Sequence, residues 1–158
     1  MSVRGAVISD CGKYRYELCR IWQPKAGLVC WVMLNPSTAD ANIDDPTIRR
    51  CMGFTSRWGY GGIIVVNLFA LRATNPKELY KADDPVGPEN FHYVFQASWH
   101  AKITIAAWGT RGTHLNQNRN ILNHLTNCHY LALTKDGSPR HPLYLRKDLQ
   151  PISLLGES

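Results

Sequence analysis

Runs of consecutive apolar residues recur along the chain and are separated by segments with helical spacing. Four such runs contain little polar interruption, which is typical of strands buried on both faces of a sheet, and they cover residues 28–34, 62–68, 103–108 and 129–134. Strands that alternate with helices predict a parallel sheet with helices packed on both of its faces.

The helix signals are strongest after the first of these strands. Asp45 followed by Pro46 is typical of a helix start, with an N-capping aspartate and a proline in the first helical position. Gly59 or Gly61 is expected to end this helix. Its apolar face is predicted to contain Ile48, Cys51, Met52 and Thr55. Further helices are predicted at 76–82, 88–99 and 115–126, and their apolar stripes include Phe91, Val94, Phe95 and Ser98 in the second and Leu115, Leu122 and Leu125 in the third.

The two ends of the chain add smaller elements. Residues 3–9 and 14–22 read as strands around the turn sequence Asp10-Cys11-Gly12-Lys13, which predicts an N-terminal hairpin. Residues 143–149 are expected to start a final helix or to form an extended tail. We therefore predict one α/β domain over residues 1–158. It has three layers (α/β/α), a mostly parallel central sheet of about four core strands, and an attached N-terminal β-hairpin.

Polar loops follow all four predicted core strands. In parallel sheets, ligands bind beyond the carboxyl ends of the strands, so these loops are expected to converge on one site. Their side chains are amides, cations and imidazoles, which suit an anionic or nucleobase-like ligand better than a cationic one. They are Asn35, Asn67, Arg72, Asn75, Arg111, His114, Arg140 and His141.

Composition narrows the classes of partner. Lys and Arg number 18 against 12 Asp and Glu, and the resulting net charge of +6 favours a polyanionic partner. No apolar run reaches the ~18 residues of a membrane span, and no signal-peptide core is recognised, so a cytoplasmic protein without membrane contact is expected. The five cysteines lack a CxxC spacing, which argues against a disulfide framework, a zinc ribbon or an iron–sulfur cluster. We expect neither a metal nor a cofactor.

Three acidic residues precede the first predicted helix, and a calcium loop is one way to interpret them. The EF-hand signature fails because no glycine stands at the sixth place and no glutamate closes the loop. N-capping and the helix dipole account for Asp44 and Asp45. Asp40 or Asp44 remains a candidate for activating a water molecule beside Asn35, if the loop folds back over the site.

The order of these segments resembles the uracil-DNA glycosylase superfamily. Residues Met33-Leu34-Asn35-Pro36-Ser37 are similar to motif one of that superfamily, closest to its mismatch-specific and single-strand-selective branches. Residues 65–76 resemble a stretch of the thermostable branch, and residues 137–142, which end in His141-Pro142, resemble motif two. The resemblance spans residues 28–145. The whole chain also resembles a bacterial and phage family of domains of unknown function, and that likeness implies no chemistry.

Several positions depart from the superfamily pattern. Met33 and Ser37 stand where motif one has glycines, and Leu143 replaces the motif-two serine that contacts phosphate in the superfamily. Ser138 is close enough in sequence to substitute for that serine. These departures leave open a changed substrate or a loss of catalysis.

The resemblance implies cleavage of an N-glycosidic bond, in which negative charge grows on the leaving base. Asn35 is then expected to orient the attacking water by hydrogen bonds, because an amide does not take up a proton near pH 7. His141 would stabilise the charge on a carbonyl oxygen of the base. Asn67 would read the polar edge of the base, and Phe69 would stack on it.

Other residues are assigned by the resemblance to the nucleic-acid backbone, and Arg140 is a candidate to enter a groove when the base flips out. The predicted phosphate- or DNA-binding set is Ser37, Arg72, Arg111, Ser138, Arg140 and Arg146, and a basic face around the site adds Lys147. The implied protein is a monomeric, cofactor-free hydrolase of DNA repair that acts on DNA or a nucleotide. Two alternatives stay open: a non-catalytic nucleic-acid or nucleotide-binding module, and an enzyme of modified-pyrimidine metabolism in phage or bacteria.

Overall fold

The computed structural model describes residues 2–154 and has a mixed α/β fold. Its strands form a seven-stranded sheet and comprise β1 (Val3–Ile8), β2 (Arg15–Ile21), β3 (Val29–Met33), β4 (Gly62–Asn67), β5 (Ile103–Ala106), β6 (Cys128–Tyr130) and β7 (Ile152–Ser153). Its α-helices are α1 (Pro46–Arg57), α2 (Glu78–Lys81), α3 (Asn90–His100) and α4 (Gln117–Leu122). Short 3-10 segments cover Pro24–Ala26 and Thr110–Asn116.

The sheet has the strand order β1-β2-β4-β3-β5-β6-β7. Strands β4, β3, β5 and β6 pair in parallel, and the connections from β3 to β4, β4 to β5 and β5 to β6 are crossovers that contain helices, as the alternation of strands and helices predicts. The hairpin β1–β2 joins the edge of β4 in antiparallel orientation, and β7 closes the other edge against β6. The predicted α/β class and the attached N-terminal hairpin are confirmed.

Alternating side chains of the central strands enter two separate apolar clusters. Trp31 and Met33 of β3 belong to a cluster that contains the buried face of α1. Cys30 and Val32 belong to a second cluster that contains residues of α3 and α4. The narrower description, three layers around about four core strands, stays a prediction.

Helix α1 begins as its sequence predicts. The Asp45 carboxylate accepts a hydrogen bond of 2.9 Å from the backbone N–H of Ile48, and Pro46 occupies the first turn. The helix ends at Arg57, two residues before Gly59, whose φ of +89° is a conformation that favours glycine. On its buried face, Thr55 accepts a hydrogen bond of 3.0 Å from the indole N–H of Trp31.

Helix α3 buries Val94 and Ser98 of the predicted stripe but not Phe91. Its buried residues are Asn90, Val94, Ala97 and Ser98, whereas Phe91 is 40% exposed. The Asn90 amide donates hydrogen bonds to the backbone carbonyls of Asn67 (2.8 Å) and Leu68 (3.1 Å). These polar bonds fix the rotation of α3 against the sheet, and apolar spacing alone does not reveal them.

Helix α4 is shorter than the predicted 115–126. Leu115 and Asn116 have φ values of +54° and +58°, so the chain cannot continue from the preceding 3-10 segment as one α-helix. Gln117 is buried at the start of α4 and donates a hydrogen bond of 2.9 Å to the carbonyl of Leu68. Leu115 is 57% exposed and Leu122 is 37% exposed, so their predicted places in an apolar stripe are wrong.

The fourth predicted strand, 129–134, is shortened to Cys128–Tyr130. Beyond it the chain folds back on itself, because the N–H of Thr134 bonds to the carbonyl of Ser138 and the N–H of Arg140 bonds to that of Ala132, both at 2.8 Å. The returning limb is tied to the end of β5 by a hydrogen bond of 2.8 Å from the N–H of Gly109 to the carbonyl of Pro139. This back-folded loop delivers residue 141 to the edge where the parallel strands end.

The segment 143–149 forms no helix and follows an irregular path. Leu145 is buried in the α1 cluster, and the N–H of Leu154 bonds to the carbonyl of Cys128 beyond this segment. The segment turns twice, with hydrogen bonds from the N–H of Leu145 to the carbonyl of Pro142 and from the N–H of Leu149 to the carbonyl of Arg146, so neither the predicted helix nor an extended tail forms.

Candidate functional site

A cavity of about 330 Å³ opens at the carboxyl ends of the parallel strands. Its volume lies at the lower end of the ~300–1,000 Å³ of small-molecule sites, which fits a ligand the size of one nucleobase. The polar side chains that line it include Arg15, Asn35, Ser37, Asp45, Asn67 and His141. The loops after β3, β4 and β5 meet here, together with the back-folded loop, as the sheet-edge rule predicts.

Backbone hydrogen bonds join the segments that follow β3 and β4. The N–H groups of Leu68 and Phe69 donate to the carbonyls of Met33 (2.9 Å) and Leu34 (3.0 Å). The N–H of Ala73 donates to the carbonyl of Pro36 at 3.0 Å. This side of the cavity wall is consequently built on paired backbone and not on a free loop.

Asn35 is half-buried, and its side-chain N–H groups are committed to backbone. The Nδ2 atom donates to the carbonyls of Pro36 (3.0 Å) and Ala73 (2.9 Å), with a longer contact of 3.5 Å to that of Leu71. These bonds fix the orientation of the amide and leave its carbonyl oxygen, Oδ1, as the atom that can accept a hydrogen bond from a water molecule or ligand.

Asn67 is fully buried, yet its amide is not satisfied within the described residues. Neither Nδ2 nor Oδ1 has a hydrogen-bond partner there, although the side chain lines the cavity. An unsatisfied buried polar group costs about 1–3 kcal/mol, so a native structure rarely keeps one without a use for it. The amide therefore offers one donor and one acceptor side by side to whatever fills the cavity.

The imidazole of His141 is held in one tautomer. Its Nδ1 accepts a hydrogen bond of 3.2 Å from the backbone N–H of Leu143, so in the neutral ring the proton lies on Nε2. Burial lowers the pKa of His141, and the charge of Asp45 opposes that shift without cancelling it. At pH 7 the group is thus a neutral imidazole with an N–H donor in the cavity wall.

The predicted water-activating carboxylate, Asp40, does not line the cavity. Its carboxylate accepts hydrogen bonds of 2.8 Å from the N–H groups of Asn42 and Ile43. These bonds hold the pKa of Asp40 below the usual range and direct the side chain toward the backbone of its own loop. The carboxylate that lines the cavity is Asp45, which sequence reasoning assigned to N-capping alone. A capping residue uses one oxygen for the helix, and sequence does not show where the other one faces.

Phe69, the predicted stacking platform, packs in the hydrophobic core. It is fully buried, packs with its ring centre 5.5 Å from that of His114, and does not line the cavity. The buried pattern of β4 continues for two residues past the end of the strand, through Leu68 and Phe69. The aromatic side chain that does line the cavity is Trp108, just beyond β5.

Most of the predicted phosphate-binding residues lie away from the cavity. Arg111 contacts the ring of Tyr80, with 5.9 Å between the guanidinium carbon and the ring centre. Arg146 is paired with Asp148 at 2.7 Å. Ser138 is buried in the turn of the back-folded loop. Arg72 and Arg140 also lie outside the cavity lining, which among this set contains Ser37 alone.

A second depression is lined by cations that sequence reasoning did not group. Arg49, Arg50, Arg57 and Lys147 surround it along the outer side of α1. We refer to these four residues as the α1 cationic groove. Arg50 also donates hydrogen bonds to the carbonyls of Pro142 and Leu145, so α1 holds the segment that follows His141.

An exposed aromatic residue stands beside the cavity wall. Tyr144 is 92% exposed and has a φ of +72°, a conformation that non-glycine residues rarely adopt. It lies between Leu143, which lines the cavity, and Leu145, which is buried in the core. The anchored neighbours present its ring to solvent.

Arg15 is a charged residue of the cavity that the sequence did not predict there. It comes from β2 and lies in the wall with Asn67 and Asp45, although it is only 2% exposed. Strict alternation along β2 predicts a different face for it. One feature could have pointed to Arg15: it is a charged residue in β2, a strand whose other residues are largely buried.

Residues 2–154 contain neither a metal-binding cluster nor a membrane-spanning helix. No group of three or more His, Cys, Asp or Glu side chains in this range is arranged to hold a metal ion. None of the described helices is both long and apolar enough to cross a membrane. Cys30, Cys51 and Cys128 are buried and unpaired, and burial raises the pKa of each thiol.

Comparison with known proteins gives a family and no activity. The family model described as "Protein of unknown function (DUF1643)" matches residues 15–143, a span that begins at Arg15 and includes His141. No curated protein and no solved structure matches the chain.

Proposed function

The chain belongs to the DUF1643 family of proteins of unknown function, and we propose that it is an N-glycosidase that excises a base from DNA or a nucleotide. The observation that carries this proposal is the unsatisfied amide of Asn67 in a cavity of nucleobase size. One donor and one acceptor side by side match the polar edge of a pyrimidine or purine. The likeness to the uracil-DNA glycosylase superfamily belongs to this proposal.

The proposed reaction breaks the bond between C1′ of the sugar and a ring nitrogen of the base. The bonding electrons pass to the base, and the Nε2–H of His141 donates to the carbonyl oxygen on which the charge accumulates. Water held by Oδ1 of Asn35 adds its oxygen to C1′. Its proton passes to Asp45, the carboxylate of the cavity wall, so the products are an abasic sugar and a base released as its anion and then protonated.

The surface around the cavity supports a polymeric substrate. The α1 cationic groove lies on the helix that holds the segment after His141, and it offers charges to phosphates. Tyr144 offers an exposed ring at the cavity wall on which a base can stack. With the function we propose a DNA partner, a monomer in the cytoplasm, and the three-layer fold around four core strands.

The second candidate function is a non-catalytic nucleic-acid or nucleotide-binding module. Leu143 favours it, because an apolar side chain lines the cavity where the superfamily's serine contacts phosphate. Oligonucleotides that carry uracil, hypoxanthine or modified bases separate the two functions when they are scored for abasic-site formation. Product supports the glycosidase, and binding without product supports the module.

Binding to DNA is expected to weaken steeply with salt. The logarithm of the affinity should fall against that of salt with a slope of roughly −0.9 per duplex phosphate contact, or about −0.7 for single strands. Replacing Lys147 by glutamine should make this slope shallower by about one contact in a fluorescence-anisotropy titration. The adjacent Arg146→Gln is the matched control and should change little, because Arg146 is paired with Asp148. A flat salt dependence of the wild type would reject a nucleic-acid partner.

Asn35→Ala is expected to lower the single-turnover excision rate by up to about 10²-fold, because the water loses the acceptor that positions it. The affinity for DNA should stay nearly unchanged. Asn75→Ala is the matched control, since Asn75 accepts a bond of 3.0 Å from Lys77 in a loop beside the cavity without lining it. Equal rates for the wild type and the Asn35 variant would remove Asn35 from the mechanism.

A further inference from the structure

Arg15 reaches the cavity through a bulge in β2. The pairing of β1 with β2 runs from Val7 opposite Glu17 to Ile8 opposite Arg15, so Tyr16 is an extra residue in β2. Leu18 belongs to the α1 cluster, and Tyr16 stacks on Tyr93 of α3 at the other face. Without the bulge, Arg15 would share the face of Glu17. Bulges near functional sites commonly redirect a side chain in this way.

Two arginines of β2 are buried to the same extent but differ in how they are satisfied. Arg20 is 1% exposed and donates to the Asp44 carboxylate at 2.8 Å and to several backbone carbonyls. Arg15 is 2% exposed, and within the described residues its side chain makes one hydrogen bond, of 3.1 Å, from Nη1 to the carbonyl of Ala39. Its Nε has no partner within the described residues, and none of the ion pairs found there involves it.

Arg15 nevertheless remains charged in the buried position. Burial lowers its pKa to about 10, with Asp45 opposing the shift and Arg72 adding to it, so the guanidinium is still a cation at pH 7. A buried charge without a counterion is strongly destabilising in general. Within the described residues the charge of Asp45 and the carbonyl of Ala39 offset that cost in part, and an oxygen of a ligand in the cavity would offset more of it.

We propose that Arg15 binds an oxygen of the base in the cavity and thereby selects oxo and anionic bases over amino bases. This proposal rests on the proposed function, because it takes the ligand to be a nucleobase. A guanidinium has donors and no acceptor, so it pairs with a carbonyl or carboxylate oxygen and is mismatched with an exocyclic amino group. Uracil-like bases are therefore the expected class, and a carboxylated uracil should bind more tightly still.

The test measures binding of free bases by calorimetry and requires no excision. Uracil, 6-carboxyuracil and cytosine are titrated into the wild type, where uracil should bind at least about 10-fold more tightly than cytosine and 6-carboxyuracil most tightly. Arg15→Met should weaken 6-carboxyuracil about 10- to 100-fold and leave cytosine nearly unchanged. Arg15→Lys keeps the charge without the planar fork, and its affinity for 6-carboxyuracil should lie between those of the wild type and Arg15→Met.

Thermal unfolding supplies the second readout. Arg15→Met is expected to raise the midpoint, because it removes an uncompensated buried charge, whereas Arg20→Met should lower it by breaking the Asp44 pair. Arg20→Met is also the control for selectivity and should keep the wild-type order of the three bases.

The outcomes separate this proposal from the glycosidase itself. If the three bases bind with the expected order of affinities, if that order depends on Arg15, and if no base is excised, the role of Arg15 is supported and the glycosidase is rejected. Excision that proceeds equally in the wild type and in Arg15→Met, with oxo and amino bases treated alike, rejects the role of Arg15. The absence of binding of all three bases at millimolar concentration also overturns it.

Discussion

Replacing His141 by alanine is expected to lower the single-turnover excision rate by about 10²- to 10³-fold while DNA affinity changes little. The loss is that of one donor aimed at an oxygen whose negative charge grows in the transition state, and such donors have costs of this order. The donor is ready in the free protein, since the bond from the Leu143 N–H to Nδ1 keeps the proton on Nε2. Rapid-quench measurement on a uracil-containing oligonucleotide determines the change.

His141→Gln is the matched control, because it keeps a neutral N–H donor without a group that titrates near neutrality. It should retain more activity than His141→Ala. Burial lowers the pKa of His141 below its ordinary 6.5, and protonation would place a second N–H against that of Leu143. The wild-type rate should therefore fall with acid through an inflection below pH 6.5, and the glutamine variant should lack that inflection.

The same shift affects stability in a defined direction. Because the pKa of His141 is lower in the folded than in the unfolded protein, its contribution to the free energy of unfolding is present above about pH 6.5 and is lost as the pH falls toward the lowered value.

If His141→Ala instead excises bases at the wild-type rate, His141 has no part in the chemistry. The binding module is then the better function.

The parts of the fold that sequence predicted are those with strong local signals. The central strands are nearly uninterrupted apolar runs, and α1 begins with a capping aspartate and a proline whose geometry allows few alternatives. Because parallel strands end at one edge, the residues after β3 and β4 could be expected to meet. Asn35 and Asn67 do line one cavity with His141, although their roles stay predictions.

The parts that sequence missed depend on polar contacts or on small changes in register. One extra residue in β2 moves Arg15 to the cavity, and alternation along the strand predicts the opposite face. The fourth predicted strand ends early, because residues beyond Tyr130 form hydrogen bonds with the second half of the back-folded loop instead of with β5. The Asp40 carboxylate accepts hydrogen bonds from two N–H groups of its own loop, and composition does not reveal such local bonds.

Asn67→Leu is expected to stabilise the free protein and to abolish base recognition. The wild-type amide is buried without a partner, and removing such a group recovers part of its desolvation cost of about 1–3 kcal/mol. Leucine is close to asparagine in shape, so a gain of about 1 kcal/mol in the free energy of unfolding is expected after some strain from added volume. Base affinity should fall by about 10² or more, because two hydrogen bonds are lost and the polar edge of the base becomes buried unpaired.

Asn90→Leu is the control that gives this result its meaning. Asn90 is equally buried and its Oδ1 also lacks a partner within the described residues, but its Nδ2 donates to the carbonyls of Asn67 and Leu68, so the loss of these bonds should destabilise the fold. Urea unfolding and base titration on both variants give the comparison. A structural asparagine loses stability on this substitution, whereas one kept for a ligand gains stability and loses binding. If Asn67→Leu destabilises the protein and leaves base affinity unchanged, Asn67 serves the fold and the ligand of the cavity lies elsewhere on its wall.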